Sequence, residues 1–148
     1  MNRIAIAACL LAISGVAHSQ SITTTQSTKW GPAPASLPSG ARAAVLDGDP
    51  SKSGLFTIRL AFPPGYRIPP HFHPADEHVT VISGHLNVGM GDQFDTKKGT
   101  ALRAGTFGVI PAEMHHYAWA SGRTVIQLHG MGPWKLTYVN PADAPKPR

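Results

Sequence analysis

The sequence predicts an all-β fold, a single-domain sandwich or barrel, on three observations. Apolar and β-branched residues fall in short runs, many of them alternating, with Gly, Pro, Asn and Asp between them. No window carries a 3.6-residue apolar repeat with caps at its ends. The only cysteine, Cys9, lies in a segment expected to be removed, so the mature chain has no disulfides and must fold on an apolar core.

That segment is the N-terminus, MNRIAIAACLLAISGVAHSQ. One basic residue, Arg3, precedes an apolar run from Ile4 to Val16, and small residues stand at Ala17 and Ser19. This is the layout of a secretory signal peptide over 1–19, cleaved after Ser19. Its apolar run is shorter than the roughly 20 residues a membrane span needs. No second such run follows, so the mature protein is expected to be soluble, free of the membrane, and periplasmic or secreted. Residues 20–40, rich in Ser, Thr and Pro, read as a flexible or extended arm with Trp30 as an anchor onto the body.

The strand-like runs follow in order: 43–46, 55–62, 78–83, 85–90, 100–104, 107–111, 116–120, 124–129 and 134–139. One β-domain over 41–139 accounts for them, with a flexible tail over 140–148. The Lys97-Lys98 doublet with Gly99 reads as a solvated hairpin loop. The formal net charge is +5, but the basic residues are scattered and no basic stripe carries interleaved aromatics. Nucleic acid is therefore not an expected partner.

The chemistry concentrates in HFHPADEHVTVISG, 71–84. Residues two apart on a strand point the same way, so His71 and His73 aim two imidazoles at one point and Phe72 faces the opposite side. After the turn at Pro74-Ala75-Asp76, Glu77, Val79 and Val81 share one side of the next strand, and His78, Thr80 and Ile82 the other. The two valines mark the interior side, which favours Glu77 over His78 as the inward group; Ile82 on the opposite side leaves His78 as the competitor. With thiolates absent, any metal must be held by His, Asp or Glu. Imidazoles plus a carboxylate suit Fe, Mn, Zn, Ni or Cu.

Gly65, His71, His73, Glu77 and Gly84 stand in the pattern G-x5-H-x-H-x3-E-x6-G. This resembles the first sequence motif of the cupin superfamily, small β-barrels that usually hold one divalent transition metal. A second motif is matched in part. Gly105 and Pro111 fit its first half and His116 falls at its histidine position. Glu113 replaces a glycine where a turn favours positive φ, and Ala120 replaces a frequent asparagine. His115 is the alternative to His116, since adjacent strand residues face opposite ways.

The resemblance implies a conical jelly-roll barrel (a double-stranded β-helix) over roughly Leu55–Tyr138. It implies a metal held by His71, His73, Glu77 and His116, and it is compatible with a homodimer. His78 and His85 read as rim or solvent-facing. His129 reads as a hydrogen-bonded structural residue or a group near the pocket. Tyr117, Trp119, Phe107 and Trp134 read as core or pocket wall, and Tyr66 and Arg67 as residues of the barrel mouth. Four ligands leave an octahedral ion two open positions for a small molecule, with oxygen or water. The expected function is thus a metal-dependent enzyme on a small molecule, of dioxygenase (oxidoreductase), isomerase or lyase type. A non-catalytic sensor or interaction module, or a metal carrier, is the alternative. No nucleophile elbow or phosphate loop is present to suggest another chemistry.

Overall fold

The structure, a computed structural model, describes residues 20–146; the expected signal peptide lies outside the described residues. Eleven strands and one short 3-10 turn make up the ordered elements. They are β1 (Gly31–Pro32), β2 (Arg42–Asp47), β3 (Gly54–Phe62), β4 (Arg67–Phe72), β5 (Glu77–Ser83), β6 (His85–Met90), β7 (Thr100–Arg103), β8 (Phe107–Ile110), β9 (His116–Ala120), β10 (Thr124–Gly132) and β11 (Thr137–Tyr138). They form two antiparallel sheets, one of order β1-β2-β3-β10-β5-β8 and one of order β11-β4-β9-β6-β7, the jelly-roll arrangement expected from the sequence.

Alternation decides which side chains meet between the sheets. On β3, Phe56, Ile58, Leu60 and Phe62 are buried, and on β10 so are Ile126 and Leu128. On β5, Val79 and Val81 are buried while Ile82 is exposed, so the valines set the parity of that strand and Ile82 lies outside. Leu86, Val88, Ile68 and Ala118 complete the core from the second sheet.

Gly84 sits in the sharp connection between β5 and β6. Its φ is +81°, and a Cβ there would come within 2.3 Å of the Arg123 carbonyl oxygen. Both the backbone twist and the close approach require glycine at this motif position.

The arm is extended against the barrel. Gly31 and Pro32 pair with Ala43 and Arg42. Leu37, rather than Trp30, enters the core, at 3% exposure; Trp30 contributes its carbonyl oxygen, which accepts from Arg42. Tyr66 is not a mouth residue. It is buried, stacks on Phe62 at 4.7 Å and donates its hydroxyl proton to the Pro38 carbonyl. Arg67 lies over the Phe94 ring.

The outer face of the second sheet carries Tyr117 and Trp119, covered by the β6–β7 loop. Phe94 packs on both rings, and the Tyr117 hydroxyl donates to the Asp95 carbonyl. Lys97 and Lys98 are exposed on that loop. Phe107 is neither core nor wall: β8 is an edge strand whose inward residues are Gly108 and Ile110, which leaves Phe107 54% exposed.

Candidate metal centre

Two neighbouring strands bring the first pair of imidazoles together. β4 and β9 run antiparallel, and their register sets His71 opposite His116. His73 follows β4 by one residue and turns to the same side. The three imidazoles each offer one nitrogen, and these atoms lie within 4.8 Å of one another. All three residues are at most 3% exposed.

The backbone fixes which nitrogen each ring presents. Nδ1 of His71 lies 2.7 Å from the Pro69 carbonyl oxygen. Nδ1 of His73 lies 2.8 Å from that of Lys135, and Nδ1 of His116 lies 2.9 Å from that of Met114. A carbonyl only accepts, so each Nδ1 must carry a proton and donate it. Each neutral ring is left with its Nε2 lone pair free. Nε2 of His73 is buried and has no hydrogen-bond partner among the described residues.

Glu77 closes the cluster from β5. One carboxylate oxygen is 3.4 Å from Nε2 of His73 and the other 3.7 Å from Nε2 of His116. The parity argument thus places Glu77 with the histidines. His78 lies on the outer face, stacked on His129 at 4.8 Å, its cross-strand partner. His115 points outward to Asp92, 2.6 Å away, and packs on Phe72. His129 is neither in the cluster nor a partner to it, because its strand buries Ile126 and Leu128 and so turns Gln127 and His129 outward. His85 is exposed.

The two halves of the site are tied together by their turns. Asp76 accepts from the Ala112 amide at 2.8 Å, and the Glu113 amide donates to the His73 carbonyl at 2.8 Å. Glu113 has φ +60°, so the turn keeps the left-handed shape that a glycine would adopt freely.

Electrostatics favour a cation at the centre. The His71 pKa is lowered to about 3, first by burial and then by the neighbouring His116 and His73, so its ring is neutral near pH 7. For Glu77, burial pushes its carboxyl up, but the close His116 imidazole and the charges of His73, His116 and His71 outweigh it. The group is held below the usual carboxylate range. Three imidazoles whose Nδ1 atoms are held by carbonyl oxygens, together with one buried carboxylate, form a donor set that fits a divalent transition metal.

Trp134 is a feature the sequence indicated only as core or wall. It stacks on His73 with centroids 5.5 Å apart and planes 18° from parallel. The cluster lines a small chamber, about 30 Å³ in volume and partly open to solvent, whose other walls include Leu60, Ile68, Val88, Ile126, Leu128 and Trp134.

A family model described as a ChrR cupin-like domain matches residues 18–135. Among curated proteins, germin-like protein 3-1 of Oryza sativa subsp. japonica is 38% identical over 78 residues, which is 52% of this chain and 34% of that protein. Oxalate oxidase 1 of Hordeum vulgare is 33% identical over 110 residues, 66% of this chain and 55% of that one. The chain thus spans between a third and about half of the length of these relatives. Among solved structures, the polyketide cyclase RemF from Streptomyces resistomycificus superposes with a TM-score of 0.69 at 14% identity, over 86% of this chain and 90% of that one. A proposed acetylacetone dioxygenase from Methylibium petroleiphilum gives 0.64 at 19% identity over 91% of both chains. At such identities these likenesses concern the fold.

Proposed function

The chain belongs to the ChrR cupin-like domain family of cupins, and from that premise we propose that it is an exported, metal-dependent enzyme acting on a small molecule. His71, His73, His116 and Glu77 would hold one divalent transition metal. The observation that carries this reading is the set of three Nδ1–carbonyl hydrogen bonds, which leaves three Nε2 lone pairs converging beside a buried carboxylate. A structural core would satisfy those lone pairs with donors. Here they face one another, and Nε2 of His73 is buried with no partner among the described residues, which a bound cation would relieve.

When bound, the ion would supply Lewis acidity or redox chemistry at a substrate oxygen. The chain's own groups do the rest. The carbonyls of Pro69, Lys135 and Met114 hold the rings in one tautomer and orientation. Glu77, buried beside Nε2 of His73 and of His116, presents its carboxylate to the same point as the three rings, which suits a ligand. The apolar chamber excludes water from the reacting end of a bound molecule. The likeness to a proposed acetylacetone dioxygenase, an oxalate oxidase and a polyketide cyclase supports a reaction on a small oxygen-bearing molecule, with a dioxygenase-type oxidoreductase as the first to test.

Elemental analysis of the purified protein tests the centre. Close to one equivalent of Fe, Mn, Zn, Ni or Cu is expected in the parent and none in the His71→Ala and His116→Ala variants; equal metal in all three would remove the site. N-terminal sequencing of the mature protein tests export, with Gln20 as the expected first residue.

A further inference from the structure

The walls of the chamber say what class of molecule the centre takes. Of its seventeen lining residues, four are His71, His73, Glu77 and His116. Every other one except Trp134 has a hydrocarbon side chain. Among the described residues no Lys, Arg, Ser, Thr, Asn or Gln lines it, so of these groups only the metal would meet a charged group on the ligand. We propose that the chamber takes a small, largely apolar molecule bearing at most one negative charge and a pair of oxygen acceptors, and that the Trp134 indole N–H donates to it.

The inference rests on the reading of the cluster as a metal centre. A divalent ion with the Glu77 carboxylate carries one net positive charge. A monoanionic ligand brings the buried centre to neutrality. A dianion would leave an uncompensated negative charge among aliphatic side chains, which is strongly disfavoured.

Trp134 supplies the second half of the argument. Its Nε1 is buried and has no hydrogen-bond partner among the described residues, although a buried indole N–H ordinarily finds one. Its ring is stacked on His73, and the next residue, Lys135, accepts from Nδ1 of the same histidine. Residues 134 and 135 therefore hold both the face and the edge of one imidazole of the cluster. Trp134 also lines a smaller cleft with Asp76, Met131 and Pro133, so it forms the wall between the chamber and that surface. An acceptor on a ligand in the chamber would satisfy the free N–H. The chamber is about 30 Å³ and opens to solvent, so only a few heavy atoms of such a ligand enter it beside the metal-binding pair.

Calorimetric titration of the metal-loaded protein with acetohydroxamate, butyrohydroxamate and oxalate tests this. The hydroxamates are bidentate and bind as monoanions; oxalate is a dianion of similar bite. Butyrohydroxamate is expected to bind at least about tenfold tighter than oxalate and several-fold tighter than acetohydroxamate, from the extra buried methylenes. Trp134→Phe keeps the ring and removes the N–H. It should weaken butyrohydroxamate about fivefold while metal content, measured on the same samples, stays that of the parent. Oxalate binding as tightly as the hydroxamates, with full metal content, would overturn the charge and polarity assignment and leave the metal centre standing. Unchanged affinity in Trp134→Phe would overturn the role of the indole. A parent that takes up no metal would overturn the centre and this proposal with it.

Discussion

His71 and His116 face each other across the β4–β9 ladder with ring centroids 4.1 Å apart. The distance is set by strand register, so the half-site exists before any ion arrives. A preformed site converts metal binding directly into stability. At free metal a hundredfold above Kd the native state should gain about 2.7 kcal/mol, which is on the order of 5–15 °C in Tm for a domain of this size. Differential scanning calorimetry with and without a chelator measures it. His116→Ala should melt at one temperature in both conditions. A chelator-insensitive parent would show that the cluster binds no ion.

Glu77 and His78 are adjacent yet lie on opposite faces of β5, and they separate cleanly by substitution. Glu77→Gln keeps the shape and removes the charge, so metal affinity should fall at least about tenfold. His78→Ala should leave it unchanged, because that ring stacks on His129 and Phe107 outside the barrel. Competition with a fluorescent chelator reads both. Equal losses in the two variants would mean that the parity of β5 is wrong.

Gly84→Ala should destabilise the barrel without touching the cluster. The residue needs positive φ, and its Cβ would meet the Arg123 carbonyl at 2.3 Å. Strain of this kind costs on the order of 2 kcal/mol or more. The midpoint of urea unfolding should drop accordingly at unchanged slope. His85→Ala, at the next and exposed position, serves as the control and should shift it by less than about 0.5 kcal/mol.

The parts of the molecule that were readable are those where one rule acts alone. Val79 and Val81 placed Glu77 inside because a half-buried strand sorts its residues by parity. Glu113 in place of a glycine suggested an altered turn, yet Glu113 itself takes φ +60° and the left-handed shape is kept. Elsewhere the sequence carried too little signal. β1 is two residues in a Pro-rich arm, where pairing depends on backbone alone. Leu37 is a single apolar side chain with no periodicity around it, yet it is in the core. The run 134–139 contributes only Thr137 and Tyr138 to a strand, since it closes a barrel end and Trp134 turns onto His73. Phe107 was misplaced because size suggested burial, whereas edge-strand parity put Gly108 and Ile110 inside.

Tyr66 and Pro38 link the arm to the barrel, and alkaline pH should undo the link. The Tyr66 hydroxyl donates to the Pro38 carbonyl at 2.6 Å. Its pKa is raised above the ordinary 10.0, chiefly by burial and further by the nearby Tyr138. A raised pKa means that the folded state keeps the proton where the unfolded chain releases it. The stabilisation is therefore complete below about pH 10 and declines as pH climbs from there through the folded value. Unfolding free energy should fall between pH 10 and 12, and residues 20–40 should become more accessible to protease over the same range. Tyr66→Phe removes the titrating hydroxyl. It should lower stability by about 1 kcal/mol at pH 8 and flatten the alkaline decline. A variant that keeps the full decline would show that other groups, and not this contact, release the arm.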